Sequence, residues 1–299
     1  MTKILLFLTF FIIVSCNNPY AKKREKSEIL SKNVNSGDTN IYELPDELGE
    51  ISGITFLNDS VVLSVADEEG ILYYYNLNQK VIVKKQNFGK PDDYEDLVKV
   101  GNDLYIAVSN GLVYQISNFD SKNPVTRSFK TPLKGKNNIE GIAYDSKNNR
   151  LLLAAKDNGL DNNENTKEIY SYDLNSGKFQ LSPAFTVDIS QIEVQFKGDK
   201  LEESSKKLLK ALGNENMNKI FRPSALTVKS ATQEIFILSS INNLIAVISP
   251  QGKLSHIIPL KGKDFRQPEG IAFAPDGSLY VSNEGRGGVG NIIKLKHEK

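Results

Sequence analysis

The 299-residue sequence has one cysteine, two methionines, two histidines and no tryptophan. A single thiol cannot form an intrachain disulfide, so a disulfide-stapled scaffold is excluded. His256 and His297 are too few for a multi-histidine metal site and weaken any mechanism built on a histidine base. Charge of either sign is not in excess: 37 Lys and Arg face 36 Asp and Glu, for a net charge of +1. No basic stripe stands out, so nucleic acid is not an expected partner. The one sustained apolar run, Ile4–Val14, is too short to span a bilayer as a helix. What remains, 39% hydrophobic and 24% charged, is the composition of a soluble globular chain.

The first sixteen residues carry one positive charge, Lys3, then the apolar run, then small Ser15 before Cys16. That order reads as a secretory signal. Ile13-Val14-Ser15-Cys16 resembles a bacterial lipobox, in which the cysteine is acylated and becomes the mature N-terminus. The alternative is a plain signal peptide with an incidental cysteine. Residues 1–16 are therefore expected to be a lipoprotein leader with lipidation, such as palmitate, on Cys16, and the protein to be lipid-anchored in the cell envelope, facing the outer membrane or periplasm. Residues 17–38 are rich in Lys, Glu, Ser and Asn without apolar periodicity, the mark of a flexible tether.

From there the chain repeats itself. Glu269-Gly270-Ile271-Ala272-Phe273 echoes Glu140-Gly141-Ile142-Ala143-Tyr144. Looser copies are Glu50-Ile51-Ser52-Gly53-Ile54, Glu95-Asp96-Leu97 and Ser224-Ala225-Leu226. The copies start at 50, 95, 140, 224 and 269, spaced by 45, 45, 84 and 45 residues. A period near 45 with strand signals inside each unit marks a propeller. Each unit offers short runs of Val, Ile, Leu and Tyr separated by turn residues, four strands to a blade. Asn110-Gly111 reads as a type I′ hairpin. The last unit lacks a fourth strand, and Thr39–Pro45 supplies a candidate from the other end of the chain. The expected fold is all-β: a β-propeller over residues 39–299, with five four-stranded blades closed by an N-terminal strand. Six blades are the alternative. An insertion at about 188–219 explains the long spacing, and Leu201–Leu212 within it has helical periodicity.

Together these phrases, with Arg222-Pro223, Gln267-Pro268 and Ser282-Asn283-Glu284-Gly285, resemble the SdiA-regulated family of bacterial envelope β-propellers. The resemblance covers about 40–297. It implies the fold and raises the prospect of a bound calcium ion, but no established activity or ligand set.

If the unit starts are equivalent, Glu50, Glu95, Glu140, Ser224 and Glu269 converge on one mouth of the axial channel. Carboxylates so placed raise one another's pKa, or recruit a cation such as Ca²⁺ or a basic side chain. Glu50, Glu95, Glu140 and Glu269 are the candidate metal ligands, and Arg222, Arg266 and Lys156 the nearest basic residues. The other reading has each glutamate accept backbone N–H bonds from the next blade. A second ring is expected at Asp67, Asn110, Lys156, Ser240 and Asn283, with Glu68 and Glu284 beside it, either as a binding surface or as turn residues. Asp157–Glu164 lacks full calcium-loop spacing, and Gly285–Gly290 reads as a hairpin loop. Two functions follow. One is a monomeric, non-catalytic module binding a small molecule or an envelope protein. The other is a calcium-dependent hydrolase of lactones, esters or phosphoesters.

Overall fold

The computed structural model describes residues 34–35, 40–196 and 221–295. They form five four-stranded antiparallel sheets in which consecutive strands pair. Blade one comprises Ile51–Phe56, Val61–Ala66, Ile71–Asn76 and Val81–Asn87; blade two comprises Tyr94–Val100, Asp103–Val108, Leu112–Ser117 and Val125–Lys130. Blade three is Ile139–Asp145, Arg150–Ala155, Thr166–Asp173 and Lys178–Asp188; blade four is Pro223–Lys229, Glu234–Ser239, Leu244–Ile248 and Leu254–Lys261. Blade five has Pro268–Phe273, Leu279–Asn283 and Asn291–Lys294 from the C-terminal end, and Asn40–Glu43 as its outer strand.

That outer strand is the expected closure. Asn40 pairs with Lys294 and Glu43 with Asn291, antiparallel. The ring is thus shut by backbone hydrogen bonds between the two ends of the chain, and no sheet is left one strand short. The described residues form five blades, and the described part of the insertion is the helix Ile189–Phe196. The expected helix Leu201–Leu212 lies outside the described residues, as does Cys16.

The apolar core is five inter-blade clusters. The period of two in each middle strand sends alternate side chains to opposite seams. In blade four, Ile235 and Ile237 pack with Leu152 and Ala154 of blade three, while Phe236 and Leu238 pack with Val281 and Ile293 of blade five. Both faces are buried, so the second strands read as unbroken apolar runs, Leu151–Ala155 for example. The outer strands face solvent on one side and alternate, as in Val81–Asn87.

Two details differ from the sequence reading. Val34–Asn35, placed in the tether, pairs in parallel with Leu260 and Lys261 on the outer edge of blade four. Edge addition of two residues uses backbone groups only, so no side-chain pattern announces it. Asn110-Gly111 is not a type I′ turn, because Gly111 (φ +87°) has positive φ and Asn110 does not. The type I′ pair is Arg286-Gly287, at φ +46° and +76°, closed by the Gly288 N–H donating to the Gly285 carbonyl at 2.9 Å.

Candidate functional site: a charged mouth on a plugged axis

Each inner strand lies against the inner strand of the next blade, and the last against the first. Each also begins with an extra residue that breaks register with its neighbour. The breaks fall between Ile51 and Ile54, Tyr94 and Asp96, Ile139 and Gly141, Pro223 and Ala225, and Pro268 and Gly270. A β-bulge re-aims one side chain out of the pleat. The bulged residues are Glu95, Glu140, Ser224 and Glu269, as the repeat phrase implied. In blade one, however, the position falls at Ser52, because Ile54 pairs with Ser64 as Ile142 pairs with Leu153.

Glu50 therefore stands two residues before the bulge and corresponds to Asp93, Asn138 and Gln267. In all four, the backbone carbonyl accepts an N–H from the end of the second strand: Asp67, Ser109, Lys156 and Glu284 respectively. The second ring is thus Asp67, Ser109, Lys156, Ser240 and Glu284. Asn110 and Asn283 are each one residue out of step with it. Asn110 is an exposed turn residue accepting the Leu112 N–H at 3.1 Å. Asn283 is fully buried and donates to Asn291 Oδ1 at 2.9 Å. Ser224 is a tie rather than a mouth group, its hydroxyl donating to the Pro268 carbonyl across a seam at 3.1 Å. Gly53 aligns with Gly141 and Gly270.

One residue further in, the five positions are Gly53, Asp96, Gly141, Ala225 and Gly270. Four are small because the backbones crowd there. A Cβ on Gly141 would meet the Leu226 N at 3.0 Å, and one on Gly270 the Ser52 carbonyl oxygen at 2.7 Å. The exception, Asp96, uses the space that the others leave. Its carboxylate is buried, accepts the Leu97 N–H at 2.8 Å and the Ile142 N–H of blade three at 2.9 Å, and is also bonded by the Leu226 N–H of blade four. A Cβ on Gly53 of blade one would lie 2.5 Å from the Asp96 Cα. Asp96 therefore touches three other blades and closes the axis. Burial pushes its pKa up, against the pull of those three N–H donors. The cross-blade carboxylate expected of the glutamates exists, but at the aspartate beside them.

Outward of this plug the charged groups gather. Glu140, 4% exposed, accepts from Lys156 Nζ at 2.6 Å and from Asn138 Nδ2 at 2.7 Å. Glu95 is its acidic neighbour. Burial, and then the Glu140 charge, raise the pKa of Glu95 to about 10. Glu269, 8% exposed, is pushed up to about 7 by burial and by Glu140. Glu284 is also at about 7, from burial and from Glu50. Asp67 is at about 6, from burial and from a side-chain hydrogen bond to Asp93. On the side of blades three and four, Arg222 Nη2 donates to Asp157 Oδ1 at 2.7 Å. Lys167 is buried, donates to the Lys156 carbonyl at 2.9 Å, and is lowered to about 8 by burial. Arg266 lies off the cluster, reaching the Gly285 carbonyl at 3.4 Å.

Sequence reading found Glu95, Glu140, Glu269, Lys156, Asp67 and Arg222 here. It missed Asp93, Asp96 and Lys167. With the copies started at Glu50, Glu95, Glu140, Ser224 and Glu269, the next position holds Ile51, Asp96, Gly141, Ala225 and Gly270, so Asp96 was visible as the one charged residue there. Lys167, at the start of a strand after a polar loop, gave no such signal.

The cluster does not fit a calcium ion. The Lys156 ammonium is itself the cation that Glu140, Glu269 and Glu95 surround. Among the described residues no group of three or more His, Cys, Asp or Glu is arranged to hold a metal. In the polar loop the Asp161 and Asn163 side-chain oxygens accept the backbone N–H groups of Asn163 and Asn165, both at 3.0 Å.

A family model described as SdiA-regulated matches residues 38–286, which span the propeller almost end to end. No curated protein matches the sequence. Among solved structures, the glutaminyl cyclase of Myxococcus xanthus is similar at 13% identity and a TM-score of 0.53, over 89% of this chain and 98% of that one. A luciferin-regenerating enzyme is similar at 14% identity and a TM-score of 0.49, over 87% and 95%. At such identity the first likeness speaks to the fold alone.

Proposed function

The chain belongs to the SdiA-regulated family, and on that footing we propose that it is a lipid-anchored envelope propeller whose charged mouth binds a small molecule or a protein partner. The observation that carries this reading is the cluster of buried carboxyl groups at the mouth, Glu140 and Glu269 among them, gathered around one lysine that donates to Glu140 at 2.6 Å. Such groups are costly to bury, and in native proteins they gather where they meet a ligand. The axis below them is filled by Asp96, so the ligand sits on the mouth and does not thread the ring.

The test is a ligand screen on the detergent-solubilised full chain, read by thermal shift. A ligand that raises the melting temperature of the native protein and loses that effect in Glu140→Gln or Lys156→Met supports the reading. Ligands that stabilise both variants as well as the native protein bind elsewhere and refute it.

The rival reading is a hydrolase. What favours it is Glu269 and Glu284, each poised at about 7, where one carboxyl can act as base and another as acid. A screen on ester, lactone and phosphoester substrates separates the two, since a pure binder turns over none of them. The calcium-dependent version lacks a fitting ligand set and is not carried further.

The anchored location rests on Lys3, the apolar run and Ser15-Cys16. Cys16→Ser is expected to abolish incorporation of labelled palmitate and to release the protein from the membrane fraction. Retention of label in the variant would show that the leader has been misread.

A further inference from the structure

The outer strands of blades one and two carry cations and no anions: Lys84 and Lys85 in Val81–Asn87, Arg127 and Lys130 in Val125–Lys130. The acid-free stretches run beyond the strands. Residues 70–91 hold four lysines and no acid, and residues 121–139 hold five Lys or Arg and no acid. Acids on either side balance each stretch along the chain, so neither stands out there. The ring sets them side by side. Lys84 Nζ lies 4.3 Å from the centroid of the Tyr74 ring and donates to Asp120 Oδ1 of blade two at 3.0 Å.

Third strands run away from the mouth and fourth strands run back toward it. Lys80 and Val81 of blade one, and Lys122 and Val125 of blade two, therefore stand at the end remote from the charged mouth. Of the five exposed large hydrophobic side chains among the described residues, three are here: Val81 at 47%, Val83 at 48% and Val125 at 49%. Lys80, Lys122 and Arg127, all exposed, stand among them. The acids at this end of the two blades are three. Asp120 is paired with Lys84, Asp103 accepts from Gln115 Nε2 at 2.7 Å, and Asp59 sits in the first turn of blade one. Lys85 turns the other way, to Glu47.

Blade four makes the contrast. Its outer strand, Leu254–Lys261, also lacks acids, but its edge is taken at Leu260 and Lys261 by Val34–Asn35, and it exposes no large apolar side chain. On blades one and two the cations are spread over two outer strands with short apolar side chains between them. That combination suits a plane of anionic headgroups, where the cations meet phosphates and the apolar groups enter the boundary layer.

We propose that the far-end rim of blades one and two rests on an anionic lipid surface, so that the mouth opens away from the membrane. The contact is independent of what the mouth binds.

The experiment is hydrogen exchange of the full chain with vesicles of phosphatidylcholine alone and with vesicles that also contain phosphatidylglycerol. Exchange over 78–85 and 120–127 is expected to slow about fivefold or more when phosphatidylglycerol is present, the scale of one Lys or Arg at a charged surface. It is expected to return to the phosphatidylcholine rate in about 1 M salt, where screening acts within about 3 Å. Strand 254–261 and the mouth loop 284–290 are the references and do not change. Lys122→Glu combined with Arg127→Glu, both at exposed positions, is expected to abolish the slowing. Lys253→Glu, exposed at the same end of blade four, is expected to keep it. Equal exchange with the two kinds of vesicle, slowing that survives salt, or equal slowing at blade four would overturn the proposal. The same slowing on adding polyglutamate to phosphatidylcholine vesicles would give the face to an acidic protein and overturn it too. These outcomes are read on the native protein, so they stand should the double variant fail to fold.

Discussion

Asp96→Ala is expected to be the most damaging single substitution at the mouth, lowering stability by about 3–5 kcal/mol. The carboxylate accepts N–H groups from its own strand, from blade three and from blade four. Alanine leaves the Ile142 and Leu226 donors buried with nothing to bond and a void between four small residues. Each orphaned buried donor costs about 1–3 kcal/mol. Chemical denaturation of native and variant protein measures the effect. Asp96→Asn is the informative companion: its amide oxygen still accepts, but its NH₂ group points a donor at donors, so it is expected to fall between the two. A loss under about 1 kcal/mol for the alanine variant would mean that the plug is not what ties the ring.

The second large effect has the opposite sign. Glu269→Gln is expected to stabilise the protein at pH 8 by up to about 3 kcal/mol, since a tenfold change in proton affinity is worth about 1.4 kcal/mol. The carboxyl of Glu269 is held at about 7, against 4.5 for an ordinary glutamate. A group raised in the folded state binds its proton more tightly there than in the unfolded chain. Its stability contribution is therefore intact below about pH 4.5, drains away as pH climbs to 7, and stays lost above. Glutamine carries no such penalty. Native and variant should match near pH 4.5 and diverge through neutrality, which melting temperatures across that range will show. Equal pH profiles would mean that Glu269 is not desolvated as the geometry implies. A glutamate that weakens the fold at neutral pH is a residue kept for contact with something else, and this makes the result bear on the binding reading.

Much of this molecule is legible along the chain. The repeat phrase gives the count of blades because each blade needs the same crowded inner strand, and crowding keeps four of the five residues at one position small. The second strands read as apolar runs because both of their faces are covered, and Thr39–Pro45 could be matched to a sheet that visibly lacked a strand. Those are local requirements, repeated, and repetition makes them visible.

The site was only half legible for a related reason. Glu95, Glu140 and Glu269 stand on bulges whose phrase recurs, so sequence alone brought them together. Glu50 looked like their fourth member because it precedes an Ile-Ser-Gly-Ile stretch, yet pairing of Ile54 with Ser64 gives the bulge to Ser52. Which residue turns toward the axis is decided by register, and register is a relation between strands. Asp93 beside Asp67, Lys167 beneath Lys156 and Asp96 across the ring are contacts between blades or between distant strands. Their residues are far apart or unremarked in the chain, and no periodicity forces them. The chain by itself determined a five-bladed ring and an acidic inner phrase. Only tertiary structure decided that an aspartate would stopper the axis and that a lysine would sit among the acids, because burial and proximity are set by the closed ring.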